Sequence, residues 1–448
     1  MQLFVIPIEG RFVLYRPLLQ LAFVGNRAMV DLVLNLTNQA CHSNAGTPAD
    51  AVEFLRTIGF LEPDPPAPPP PDHEYHPTTA VLLLTSRCNL RCTYCYASGG
   101  ELSVQDLSLT AARTVINQAC RNALEAGAPR FELGFHGGGE PIQAWEIVQE
   151  TTAYARDKDL PCEIFMVSNG LWSKSQRKWI MENLDDLTIS FDGQPQTQNR
   201  QRPLASGRGS FSAVMRTMEA LDNAGFRYAI RMTATDPWRG RLPEDVRFIC
   251  AETNCSMIDV EPAFNTRRGE HRGPTPGESA AFVEAFMEAF EIASQAGRRL
   301  TYSGARPWLL TQSFCTAPYG ALIVNPAENL VACYEVASTS HPLAEISTVG
   351  RIVDSQVAVD HEARNALLTW LEERRVQCRD CFCYWHCAGD CYSRYSYSET
   401  STRAGMSPRC DMNRAITARI LLWYIMNGDG VWRGQGAHPQ EEQLLRTF

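Results

Sequence analysis

No apolar run in this 448-residue chain approaches the ~20 residues that a membrane-spanning helix needs. Positive charge is not in excess either: the formal net charge is -9. That argues against nucleic-acid binding, which requires a concentrated basic face. The start, Met1-Gln-Leu-Phe-Val-Ile-Pro-Ile-Glu9, lacks the basic stretch and long apolar segment of a secretion signal. No internal repeat is visible. These absences point to a cytoplasmic protein without a membrane or nucleic-acid partner. What the chain has in quantity is cysteine, sixteen in all. A reducing compartment disfavours disulfides. The cysteines cluster near residue 90 and between 378 and 391, and such clustering reads as metal binding. Length and a 44% hydrophobic content imply two or three domains with sizeable cores.

Residues 1–62 read as a small α+β module. Leu3-Phe4-Val5-Ile6 and Phe12-Val13-Leu14-Tyr15, turning at Glu9-Gly10, predict a hairpin. Helices over 29–39 and 48–58 follow, the second stopping at Gly59. Residues 63–71 are Pro-Asp-Pro-Pro-Ala-Pro-Pro-Pro-Pro, so 63–78 reads as a Pro-rich linker, or as a surface loop within one domain. From residue 79 strands and helices alternate. Strands are expected over 80–85, 130–136, 162–167, 186–191, 228–233 and 257–261, with helices over 111–126, 211–224 and 278–296. Six such units imply a parallel α/β sheet, open or curled into a partial (β/α)6 barrel of TIM type, with the active site at the C-terminal strand ends. Residues 79–300 form this barrel. Residues 301–427 are irregular and cysteine-rich until a last helix over 412–426. The tail, 428–448, is polar and expected to be poorly ordered.

The first cysteine group, Cys88-x3-Cys92-x2-Cys95, follows the first strand. Three thiolates can hold three irons of a cubane cluster and leave the fourth iron open for a ligand. A zinc site would want four ligands. No fourth is obvious nearby, although His73 and His76 lie upstream.

This spacing, with Tyr94 before the third cysteine, resembles the signature of the radical S-adenosylmethionine (SAM) superfamily. The resemblance implies a [4Fe–4S] cluster on Cys88, Cys92 and Cys95. Its open iron binds the amino and carboxylate groups of SAM, and SAM is split into methionine and a 5′-deoxyadenosyl radical. His136-Gly137-Gly138-Gly139-Glu140-Pro141 resembles the family's GGEP element: Gly138 and Gly139 allow close backbone approach, and Glu140 would take the SAM ammonium. Ser168-Asn169-Gly170 and Ser190-Phe191-Asp192-Gly193 resemble two further strand-end elements, with Ser168 and Ser190 as SAM partners. Arg231 would pair with the SAM carboxylate, although Ser168 and Arg231 serve equally well as structural residues. This resemblance spans residues 79–300.

The second group is Cys378-x2-Cys381-x5-Cys387-x3-Cys391, then Cys410, with Cys315 and Cys333 upstream. Zinc suits part of it in isolation. The run resembles the SPASM extension at every spacing. That implies two auxiliary [4Fe–4S] clusters, the first on Cys315, Cys333 and Cys391, the second on Cys378, Cys381, Cys387 and Cys410. Glu328 stands where the pattern has glycine, so a different turn is expected there. The first auxiliary set has only three cysteines. Either Cys383 completes it or one iron stays open to a substrate thiolate. Cys41, Cys120, Cys162, Cys250 and Cys255, with Cys383, are left over and read as small core residues.

The resemblance further implies a maturase of ribosomally made peptides (RiPPs), abstracting hydrogen from a precursor peptide to form a thioether or carbon–carbon crosslink or otherwise remodel it. The N-terminal module resembles a leader-binding element, or is a cap on the barrel. An electron donor such as flavodoxin or ferredoxin would be needed. The alternatives are a sulfatase-maturase-like or small-molecule radical SAM dehydrogenase, a zinc scaffold, and a leader-binding or electron-transfer partner without turnover. Sulfatase maturases carry Asp after the second auxiliary cysteine. Here Tyr334 and then Glu335 follow, which argues against that branch. No acid/base residue is assigned.

Overall fold

The computed structural model describes residues 1–37, 49–235, 238–264, 268, 272–394 and 407–436. Cys41 lies outside them. Three strands open the chain: β1 (Phe4–Ile8), β2 (Arg11–Arg16) and β3 (Leu21–Gly25). The β1–β2 hairpin turns through Glu9 and Gly10, both left-handed (φ 49° and 72°), the twist that a tight hairpin favours. Helices Arg27–Thr37 and Ala49–Thr57 cover one face, and Val30, Val33, Leu55 and Phe60 pack on Leu14 and Phe23.

The barrel strands are β4 (Thr79–Leu82), β5 (Phe131–Phe135), β6 (Cys162–Ser168), β7 (Asp186–Ser190), β8 (Ala229–Thr235), β9 (Met257–Ala263) and a short β10 (Arg299–Thr301). All run parallel in sequence order, as a partial TIM-type barrel requires. The six expected strands lie within a few residues of their observed positions. β4 and β5 are buried along their whole length, because helices cover the outer face. Gly134 in β5 makes room for Phe165 of β6, whose ring would lie 2.2 Å from an added Cβ. The connecting helices start where their caps dictate. Ser108 accepts from the amide of Ala111 ahead of Leu109–Glu125, and Thr275 and Glu278 form a capping box ahead of Pro276–Gln295.

The cysteine-rich region contributes β11 (Ala321–Val324), β12 (Asn329–Val331), β13 (Thr348–Val353) and β14 (Gln356–Val359). β11 pairs parallel to β4, and β12 to β14 continue antiparallel, so one eleven-stranded sheet runs from the barrel into this region.

Two expectations change. The polar tail carries a strand, β15 (Val431–Arg433), which pairs with β3 and buries Trp432 5.9 Å from the ring of Tyr15. Three residues between glycines are too few to show periodicity. Residues 63–78 are also tied down. Asp64 pairs with Arg16 at 2.5 Å, Gln312 donates to the carbonyl of Pro68, Arg364 to that of His73 at 2.7 Å, and the Tyr75 hydroxyl to that of Ala321 at 2.7 Å. The surface-loop reading describes this segment better than a free spacer.

Candidate active site

Cys88, Cys92 and Cys95 sit on the loop after β4. Backbone hydrogen bonds anchor the loop, from Arg91 to Pro203 at 2.8 Å and from Thr93 to Gln201 at 2.9 Å. Arg268 reaches over from the β9 loop and donates to the carbonyls of Cys92 (2.6 Å) and Gly99 (2.9 Å). All three thiols face one cavity of about 520 Å³. Burial pushes Cys88 and Cys92 up to about 12, so each keeps its proton until a metal displaces it.

The Gly137–Glu140 turn closes on this loop. The Gly139 amide donates to Thr85 at 2.7 Å and that of Glu140 to Arg87 at 2.8 Å. Gly137 and Gly138 are left-handed (φ 90° and 71°), and a Cβ on Gly139 would stand 2.1 Å from the Arg87 carbonyl oxygen. Only glycine fits this approach. The Glu140 carboxylate is 4% exposed and accepts from the Ser168 hydroxyl at 2.5 Å and the Asn169 amide at 2.9 Å. Burial nonetheless raises it to about 7. A buried carboxylate that its hydrogen bonds do not fully compensate suits an incoming ammonium group.

Ser168 therefore positions Glu140, and it also accepts from the Trp172 indole at 2.9 Å. Ser190 and Arg231 line the cavity, with Arg231 3.8 Å from Asp259. Tyr94 lines it too. Its hydroxyl donates to Asp192 at 2.7 Å, and the Arg202 guanidinium stacks 5.2 Å from its ring. Asp192 gathers Arg202 and Gln201 as well, which locks the triad loop to β7.

Cys315, Cys333 and Cys391 line the same cavity and are electrostatic neighbours. Cys378, Cys381, Cys387 and Cys410 form a second group. Cys383 belongs beside Cys381 and Cys387, with its sulfur 3.6 Å from the Thr417 hydroxyl, so it does not stand in the gap of the first set. Among the described residues no three Cys, His, Asp or Glu side chains converge as around a single ion. A cubane takes its thiolates at wider spacing than zinc does. Cys120, Cys162 and Cys255 are buried in the core and Cys250 packs against it. Glu328 corrects the sequence reading. It adopts φ 61°, the conformation that a glycine would supply, and its carboxylate accepts from Ser108 at 2.7 Å.

The sequence named several lining residues without showing what they touch. His136 is buried beside Tyr334 (ring centroids 4.8 Å apart), its Nδ1 has no partner, and burial lowers it to about 3. Glu335 pairs with Arg394 at 3.1 Å. Their partners lie far away along the chain, and no spacing announces them.

A parallel partial barrel with a three-cysteine loop and a glycine–glutamate turn at its mouth is the arrangement that the radical SAM resemblance implies. Residues 82–240 match the radical SAM superfamily. Fe-coproporphyrin III synthase of Methanosarcina barkeri is 26% identical over 241 residues, covering 53% of this chain and 56% of that one. The mycofactocin maturase MftC of Mycolicibacterium smegmatis is 30% identical over 148 residues, 32% of this chain and 34% of that one. The chain thus spans from about a third to little over half the length of these relatives. Among solved structures, anSMEcpe with bound AdoMet and Cp18Cys peptide superposes with a TM-score of 0.60 at 17% identity, covering 78% of this chain and 99% of that one. Streptococcus suis SuiB bound to precursor peptide SuiA gives 0.51 at 12% identity, covering 85% and 87%. The superpositions speak to fold.

Proposed function

We propose that the chain is a peptide maturase with three [4Fe–4S] clusters, one on the Cys88 loop and two in a SPASM-type region. The carrying observation is the single cavity that joins the SAM triad to Cys315, Cys333 and Cys391. When bound, the first cluster and SAM supply a 5′-deoxyadenosyl radical that abstracts hydrogen from the substrate. Gly138 and Gly139 admit the methionine portion, Glu140 takes its ammonium, Arg231 its carboxylate, and Ser190 and Tyr94 line its place. Cys315, Cys333 and Cys391 stand across the cavity, where their cluster would take the surplus electron. With Cys383 in the other group, that cluster has three cysteine ligands. A polypeptide substrate is supported by the names of MftC and SuiB. A leader added as a strand to the N-terminal sheet would pair with one of its two outer strands, β1 or β15, because β15 already covers β3. Flavodoxin or ferredoxin would deliver electrons.

Anaerobic reconstitution tests the reading: about twelve irons per chain (three cubanes) supports it, and about four sinks the auxiliary clusters. Co-expression with a short precursor encoded beside the gene should then remove two hydrogens by mass for a crosslink, or more for backbone excision. A small free substrate is the second reading, favoured by the likeness to Fe-coproporphyrin III synthase. Turnover without any peptide would establish it.

A further inference from the structure

Between Cys387 and Cys391 the backbone is left-handed at three successive residues: Ala388 (φ 45°), Gly389 (92°) and Asp390 (67°). This is the longest such run among the described residues. Two of the three carry side chains that disfavour the conformation, so other contacts must hold it. The holder is Arg409. Its Nη2 and Nε donate to the two oxygens of Asp390 at 2.5 and 3.1 Å, and Nη1 to Glu261 of β9 at 2.9 Å. Ser407 donates to Asp390 as well, and the Ser303 amide fixes Glu261 at 3.0 Å. Arg409 is 3% exposed and packs over Tyr302 and Phe314. The bidentate geometry is one that lysine cannot reproduce.

The position of this loop gives the pair its meaning. Cys387 belongs with Cys378, Cys381 and Cys410, whereas Cys391 belongs with Cys315 and Cys333. The strained stretch bridges the two groups. The geometry points to Arg409 as the positioning residue that sets the spacing of the two auxiliary centres. It draws Asp390 toward the end of β9 and so aims Cys387 into one group and Cys391 into the other. This rests on the reading that both groups hold clusters.

The test uses the full chain, reconstituted anaerobically, as wild type and as Arg409→Met, Arg409→Lys and Asp390→Asn. Iron and sulfide are counted, and each cluster is followed by EPR during a redox titration. Wild type should carry about twelve irons. Arg409→Met and Asp390→Asn should keep the Cys88-loop cluster with its SAM-dependent EPR change. They should either lose auxiliary iron, falling toward about four, or show shifted auxiliary potentials. Arg409→Lys should recover part of the loss. If Arg409→Met fails to fold, Glu261→Gln removes the charge of the barrel-side contact at constant volume and should shift the auxiliary potentials alone. Full loading with unchanged auxiliary potentials in Asp390→Asn and Glu261→Gln overturns the proposal. A wild type with only about four irons overturns the cluster reading beneath it instead.

Discussion

Replacing Gly139 by alanine tests how closely the glutamate turn is fitted to the cysteine loop. The new Cβ would lie 2.1 Å from the Arg87 carbonyl oxygen, and ordinary contact begins at 3.4 Å, so the glutamate turn and the cysteine loop must part by about 1.3 Å. The obstacle is backbone on both sides and cannot rotate away. The amide bonds from Gly139 to Thr85 (2.7 Å) and from Glu140 to Arg87 (2.8 Å) would open to about 4 Å and be lost. Two buried bonds left unmade cost about 2–6 kcal/mol in total. The same movement displaces the Glu140 carboxylate from its place beside the triad. Gly139→Ala should therefore melt several degrees lower and bind SAM at least about tenfold more weakly, a loss of about 1.4 kcal/mol or more. Gly277→Ala is the control. Nothing lies within 4 Å of its Cβ, and it sits in the first turn of a helix, so stability should hold or rise by up to about 1 kcal/mol. A Gly139→Ala protein with wild-type melting, iron content and SAM affinity would refute the close-fit reasoning.

Glu140→Gln should leave iron content intact and weaken SAM binding by about tenfold or more, read by equilibrium binding. In the wild type, affinity should fall as the pH drops from 8 through about 7, because the buried carboxyl takes up a proton there and cannot pair with an ammonium. Glu140→Gln should lack that dependence. The sign for stability is opposite: a carboxyl raised above its ordinary value favours the fold at low pH, and this contribution is lost as pH rises through about 7. Glu328→Val places a β-branched side chain at φ 61° and should cost about 2 kcal/mol by thermal unfolding, whereas Glu328→Gly should stay within about 1 kcal/mol of wild type. Trp432→Ala should cost about 3–5 kcal/mol and expose the N-terminal sheet to limited proteolysis; an unchanged digestion pattern would count against β15 as its edge.

Much of the barrel was legible because strands buried on both faces read as unbroken runs such as Ala80–Leu84, and because chemistry at strand ends leaves short signatures such as Gly138-Gly139-Glu140. The cysteine spacings spoke for themselves. What stayed hidden depends on contacts between distant segments. Arg409 and Glu261 are 148 residues apart, and His136 meets Tyr334 only across the cavity. β15 was missed because edge pairing, rather than its own periodicity, makes it a strand. At Glu328 residue type misled: the backbone takes the glycine conformation without the glycine, with Ser108 holding the side chain. Cys383 could be allotted only after folding showed which sulfurs lie beside it.

The pairing of β11 with β4 bears on how the molecule can be taken apart. β4 leads into the triad, and β11 lies between Cys315 and Cys333, so the two sets of thiols hang from neighbouring rungs of one ladder, with strands about 4.8 Å apart. Such a continuous ladder ties the two regions together without an intervening linker. The cysteine-rich region is therefore a poor cassette for grafting. A chain cut near residue 300 would bare the edge of β4, a fully buried strand, and its expected fate is edge-to-edge aggregation rather than a free-standing barrel.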